Sequence, residues 1–264
     1  MCNTLFSNLS PCPSEILYVI GNGFDIAHGI KSQYCDFAGW VKESDNQQLI
    51  SMMDMLFSNE HELWSDIETA LGEYREDEIL ECLKPMEGID YDHPMRSIAA
   101  IEDMPDCMFK PVLNEFLERF ADWVNSIEIS QARRMNEMPE LEKQSKYLTF
   151  NYTETLEKVY AIPESNVLHI HGSRTKAIDG YIMGHNKIKS DALHDTLNGE
   201  NYFEQNSKNK IISLMNDLYK PTSSIIRNNK NFFQSLIEIT HIVVIGHSLN
   251  NVDRIYFDEA RSNV

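Results

Sequence analysis

Three apolar runs that lie far apart in the chain each break on Gly or Asn and give way at once to apolar residues at helical spacing. The first is Ile16 to Ile20, broken by Gly21-Asn22-Gly23; the second is Tyr147-Leu-Thr-Phe-Asn151; the third is His241-Ile-Val-Val-Ile-Gly246. Leu156, Val159 and Tyr160 follow the second run, and Val252, Ile255 and Tyr256 follow the third. The first, a short run without alternation, fits a strand buried on both faces. Strand-then-helix, repeated, predicts an α/β fold: a Rossmann-like open parallel sheet flanked by helices. Val167-Leu-His-Ile-His171, ending on Gly172, reads as a fourth strand, and Gly180-Tyr-Ile-Met-Gly184 as a short fifth.

Between the first two runs the spacing is helical throughout. Tyr34, Phe37 and Val41 share one face, Leu63, Trp64, Ile67 and Leu71 another, and Val112, Phe116, Phe120, Trp123 and Ile127 a third. Loops at Lys84 to Pro94 and Glu102 to Pro111 are expected to separate these helices, since both are rich in Pro, Gly and Asp. The predicted organisation is a nucleotide-binding core over residues 1–41 and 146–264, with a large helical insertion over 42–145. The aromatic stripe of the insertion reads as core. Glu68 is the one insertion residue placed to aim into a site, the plainer alternative being a solvated helix carboxylate.

Charge sharpens this division. From Lys42 to Asp106 there are 18 Asp and Glu against 4 Lys and Arg, a local balance of −14 within a total of −18. Phosphate backbones are bound through Lys and Arg, so this segment argues against nucleic acid as a partner. It reads as a solvated face, or as a surface for a basic partner. The 264 residues, 42% hydrophobic and 24% charged, describe a globular chain able to bury a full core. No apolar run approaches the roughly 18 residues a membrane helix needs. Met1 to Glu15 has no basic stretch leading into an apolar core, so the expected location is cytoplasmic. The five cysteines are scattered and never spaced as C-x-x-C, which reads as reduced thiols without a zinc module.

In an open parallel sheet the ligand sits beyond the carboxyl ends of the strands. That rule selects Gly21, Asn22, Gly23 and Asp25 after the first strand, and Asn151 with Tyr152 after the second. It adds His169, His171, Gly172 and Ser173 near the fourth, and Gly246, His247 and Ser248 after the last. Gly21 and Gly23 permit close backbone approach, and the helix that follows offers unpaired N–H groups to an anion. A tight turn without ligand is the alternative. His169 and His171 alternate along a strand and so share a face, the spacing of a two-histidine metal site. With His185 and His247 they suggest a metal-dependent hydrolase as an alternative function, although no Asp or Glu at comparable spacing completes the set.

The ordered combination Gly21-Asn-Gly-Phe-Asp-Ile-Ala-His-Gly29, Phe150-Asn-Tyr-Thr-Glu-Thr-Leu-Glu157, His169-Ile-His-Gly172 and Gly246-His-Ser-Leu249 resembles the bacteriophage abortive infection AbiH family, a sirtuin-like branch. The resemblance implies phage defence through a site for NAD. In sirtuin-type sites NAD lies over the Gly-rich turn, here Gly21, Asn22, Gly23, Phe24 and Asp25, with Asp25 near the nicotinamide end. Asn151 would position a water or the ribose, and His171 would act as general base. Gly246 and Ser248 would meet the phosphates or adenosine ribose, with Tyr152, Gly172 and His247 completing the set. Attack by water would make the protein an NAD glycohydrolase; a nucleotide sensor without catalysis is the other outcome. The implied partners are a small-molecule nucleotide, a phage-derived trigger and a second copy in a homo-oligomer. Two positions depart from the sirtuin pattern: Thr153 stands where Asp usually follows Asn-Tyr, and no Arg accompanies Asp36-Phe37.

Overall fold

The computed structural model describes residues 12–44, 46–57, 63–83, 92–135, 138, 140–175, 180–190 and 199–263. The expectations for residues 1–11, for Cys2 and for the loop at 84–91 lie outside them. The chain divides into two compact units. One comprises the described residues of Met1–Lys31, Ile127–Tyr181 and Thr222–Val264, the other Ser32–Ser126 and Ile182–Pro221.

The first unit is the sheet. Strands β1 (Ile16–Ile20), β2 (Lys146–Thr149), β3 (Val167–His169) and β4 (His241–Ile245) pair in the order β3-β2-β1-β4. Every pairing is parallel, with Tyr18 opposite Tyr147 on one side and Val243 on the other. From β1 the chain crosses to β2 and β3 on one side, and β4 then enters on the far side of β1. The order therefore reverses between β1 and β4, the place where open α/β sheets leave a crevice. Burial explains the central strand: Leu17, Tyr18, Val19 and Ile20 are all buried, and the Tyr18 and Tyr147 rings stack at 5.1 Å. Phe24, Leu156, Tyr160 and Ile162 close over this face from the flanking segments α1 (Asn22–Ala27) and α7 (Thr155–Tyr160).

The sheet position of one strand is new, and one strand expectation is corrected. β4, an uninterrupted apolar run, is an edge strand, with Ile242 and Val244 still 37% and 39% exposed. Apolarity alone does not tell a central strand from an edge strand whose outer side is left open. Gly180 to Gly184 forms no strand. The chain there makes an isolated bridge one residue later, between His185 and Tyr219, and Gly184 lets the backbone press so close that a Cβ would sit 2.1 Å from the Leu218 carbonyl oxygen.

The second unit is helical. Among its elements are α2 (Tyr34–Glu43), α3 (Gln47–Leu56), α4 (Ile67–Leu71), α5 (Glu76–Leu83), α6 (Pro94–Ser126) and α8 (Gly199–Asn216). The expected break at Glu102 to Pro111 does not occur, and α6 runs 33 residues through both Pro105 and Pro111. A proline inside a helix costs about 3 kcal/mol. Against that, Ile101, Phe109, Leu113, Phe116, Phe120 and Trp123 recur at intervals of three, four or eight and are all buried, so the helix keeps one continuous apolar stripe. Phe37 of α2 stands fully buried at its centre, with the rings of Trp64, Phe116, Phe120 and Trp123 at centroid distances of 5.3 to 6.1 Å.

Charge ties the helices together as well. The Lys210 ammonium on α8 meets the Asp106 carboxylate on α6 at 2.7 Å. Glu68 is neither solvated nor aimed into a site: it is buried and pairs at 2.6 Å with Lys220, whose side chain is fully enclosed. Cys12, Cys35, Cys82 and Cys107 are free thiols. Among the described residues no helix is long and apolar enough to cross a membrane.

Truncating Phe37 to Ala removes the ring that four other aromatics contact, and should lower unfolding free energy by about 3–5 kcal/mol. Urea unfolding followed by tryptophan fluorescence measures it, since Trp64 and Trp123 report on this core; a loss below about 1 kcal/mol would contradict the packing described.

Candidate functional site

The polar groups gather in the first unit, just past the carboxyl ends of β1, β2, β3 and β4. The turn after β1 is locked to the turn after β4 by backbone. Gly21 N–H donates to the Ile245 carbonyl at 3.0 Å, and Gly23 N–H donates to the Gly246 carbonyl at 2.8 Å. A Cβ on Gly21 would lie 2.6 Å from the His247 Cα, and one on Gly23 would lie 2.8 Å from the Gly246 Cα. The close approach that these glycines permit is thus to the chain's own β4 turn. Gly246 itself takes φ +66°, with space for no side chain against Phe24 N. Phe24 turns its ring into the core, tilted on His28 at 4.5 Å, while Asn22, Gly246 and Ser248 line the exposed rim.

Behind that turn sits Asp25, 1% exposed. Thr155 Oγ1 donates to one carboxylate oxygen at 2.7 Å, Thr153 Oγ1 donates to the other, and the Asn151 side chain donates as well. Burial pushes the Asp25 carboxyl above its ordinary value, and the three hydrogen bonds, with His28 nearby, pull it part of the way back. A carboxylate only accepts, so Asn151 turns Nδ2 toward Asp25. Its Oδ1 is left buried with no hydrogen-bond partner in the protein. The backbone of Asn151 is pinned at both ends: its N–H donates to Thr149 Oγ1 at 3.1 Å, and its carbonyl accepts from His169 Nδ1 at 2.8 Å. Asn151 does not cap the next helix, whose N-cap residue is Glu154.

A second constellation surrounds Phe150. Its ring lies edge-on to His171 at 5.3 Å and to His247 at 4.3 Å. Between the two imidazoles stands Asp253, with Oδ1 3.6 Å from His171 Nε2 and Oδ2 3.5 Å from His247 Nε2, all three side chains being at most 10% exposed. Tyr152 packs against Tyr181 at 5.3 Å and lies 6.5 Å from His171. Arg174 ties the loops after β2 and β3 together through its N–H on the Tyr152 carbonyl and its guanidinium on Glu154 at 2.7 Å; Gly172 turns between them at φ +91°.

The geometry among the described residues gives the two-histidine metal reading no support. His169 has both ring nitrogens engaged by oxygens of the protein, the Asn151 carbonyl and Glu157 Oε1 at 2.9 Å, so neither is turned toward a shared site with His171. His185 belongs to the other unit, where Nε2 donates to the Met215 carbonyl and Nδ1 accepts from Lys187 N–H; burial lowers its pKa. Among the described residues no group of three or more His, Cys, Asp and Glu is arranged to hold a metal.

Three contributors escape the motif reading. Thr153 and Thr155 alternate and so reach one carboxylate, a spacing visible in Thr153-Glu-Thr155 once Asp25 is known to face them. Asp253 follows Asn250-Asn-Val252 and stands at the N-cap position of α11 (Arg254–Ser262), where sequence alone assigns it to capping.

A four-stranded parallel sheet, with glycine turns meeting at its switch point and polar side chains collected beyond its strand ends, defines an α/β protein of the Rossmann type. The chain belongs to the bacteriophage abortive infection AbiH family, whose family model matches residues 17–264. That membership supports a role in abortive infection of phage. No curated protein and no solved structure gives a significant match.

Folding raises the proton affinity of Asp25, so the native state holds this proton more tightly than the unfolded chain. The carboxyl's contribution to stability is then largest below its ordinary value of 3.8 and is lost as pH climbs through the raised native value. Unfolding free energies of the wild type, taken relative to Asp25→Asn between about pH 3 and about pH 8, should fall as pH rises. A difference that stays flat or rises would show that the hydrogen bonds outweigh burial.

Proposed function

We propose that this abortive infection protein binds NAD at the carboxyl ends of its strands and cleaves it, releasing nicotinamide. The observation that carries the reading is the orphaned Oδ1 of Asn151. A buried acceptor without a partner costs about 1–3 kcal/mol, so its position is one that a ligand's hydroxyl or a bound water completes. Asp25 fixes which end of the amide faces that position.

In the reaction Asn151 Oδ1 accepts a hydrogen bond from the attacking water and holds it against the anomeric carbon of the nicotinamide ribose. The water oxygen bonds to that carbon as the carbon–nitrogen bond breaks. The bonding pair leaves with the nicotinamide ring, which becomes neutral, and the water's proton passes to His171. Asn22, Gly246 and Ser248 on the exposed rim are assigned to the phosphates and adenosine ribose. The resemblance to sirtuin-like sites supports this division of labour, and among the described residues no ligand set supports the metal alternative.

Incubating the protein with NAD and quantifying free nicotinamide tests the reading. Asn151→Ala and His171→Ala should each lower the rate by about 100-fold or more, read in variants that are shown still to unfold cooperatively at the assay temperature. The same two substitutions should abolish protection of cells challenged with phage, and with it the fall in cellular NAD during infection. Release that persists at wild-type rate in both variants would sink the assignment, and tight NAD binding without release, even in infected cells, would leave a sensor.

A further inference from the structure

We propose that Asp253 is a positioning residue, gripped between His171 and His247, that keeps His171 protonated on Nε2 so that Nδ1 is the atom that takes the proton. The part of this concerning catalysis rests on the NAD-cleavage reading; the part concerning tautomers stands on geometry alone.

The argument starts at the backbone of Leu249. Its N–H donates to His247 Nδ1 at 2.9 Å, so that nitrogen carries the lone pair and the proton of the neutral ring is on Nε2. Leu249 holds φ 56°, a left-handed conformation that residues with a side chain rarely adopt and that persists only where the surroundings enforce it. His247 Nε2 faces Asp253 Oδ2 at 3.5 Å. One carboxylate oxygen is therefore aimed at by a fixed donor, and the other lies 3.6 Å from His171 Nε2. A carboxylate accepts and does not donate, which selects the Nε2–H tautomer of His171 too. At 3.5 and 3.6 Å these contacts establish the facing of each Nε2 toward its own carboxylate oxygen, at the outer limit of a hydrogen bond.

Two further observations separate this from a plain helix start. Asp253 stands at the N-cap position of α11, yet its side chain makes no capping hydrogen bond. Ser, Thr, Asn and Asp at that position ordinarily accept from the first-turn N–H groups. The carboxylate faces the two histidines instead, and the positive end of the nine-residue α11 favours its charged form. The rings it serves are held by aromatic walls: Phe150 touches both, Tyr256 lies edge-on to His171 at 5.7 Å and Phe257 to His247 at 5.0 Å.

In the reaction no proton reaches Asp253. The water's proton goes to His171 Nδ1, the ring becomes imidazolium, and the ionised carboxylate beside Nε2 balances the new charge. His247 remains a neutral donor that holds Asp253 in place.

Nitrogen-15 NMR of the imidazoles in the wild-type protein reads the tautomers directly. The expected result is Nε2–H for both His171 and His247 in their neutral forms; an Nδ1–H tautomer at His171 overturns the proposal without need of any variant. In Asp253→Asn the titration midpoint of His171 should fall by about one unit or more, since an opposite charge at this range is removed. A midpoint unmoved in a variant that still unfolds cooperatively also overturns it. Where NAD is cleaved, kcat of Asp253→Asn should drop at least about tenfold with KM within about threefold. Absence of cleavage by the wild type would count against the NAD reading, and the NMR result would still decide the role of Asp253.

Discussion

The meeting of two bare backbones, Gly21 and Gly23 after β1 against Gly246 and His247 after β4, is the constraint on which the rest of the first unit depends. A single methyl group on either side would force the turns apart, because the atoms it would strike are backbone and have nowhere to go. With the turns in contact, α1 leaves the sheet at an angle that buries Asp25 beneath the loop from β2. The same contact aims the residues after Gly246 back over Phe150. Both polar constellations are consequences of this one approach.

That approach also revises what a glycine-rich strand-to-helix turn means here. The pattern Gly-x-Gly signals close packing of something against backbone, and sequence does not say whether the something is a ligand or another turn. In this fold it is another turn. On the proposed reading, recognition would then rest on oriented side chains, the Asn151 amide, the two histidines and the polar rim, more than on a cradle of amides.

The fold was legible where burial was uniform. Ile16 to Ile20 is central and enclosed, and its apolar run says so; the Phe37 and Phe120 faces are core, and their spacing says so. Legibility failed where a local signal competed with a distant one. Pro105 and Pro111 look like helix ends because their local penalty is visible and the stripe of aromatics that outweighs it is spread over many turns. The edge position of β4 was not legible, because among the described residues its outer side carries no strand, and no residue type encodes that. At the site, Asn151 and His171 stood in recognisable motifs, whereas Asp253 gains its meaning from His171 as well as from nearby His247, and the Thr153–Thr155 pair from Asp25, a residue far back in the chain.

The unpaired Oδ1 of Asn151 has a consequence for how any group bound beside it would act on stability. A buried acceptor left open is a standing deficit in the native state, of about 1–3 kcal/mol. Whatever satisfies it returns that free energy to the folded form and not to the unfolded chain, so occupancy of the site and resistance to unfolding rise together. The atom that marks the candidate site would thus also be a point at which a bound hydroxyl or water makes the fold more durable.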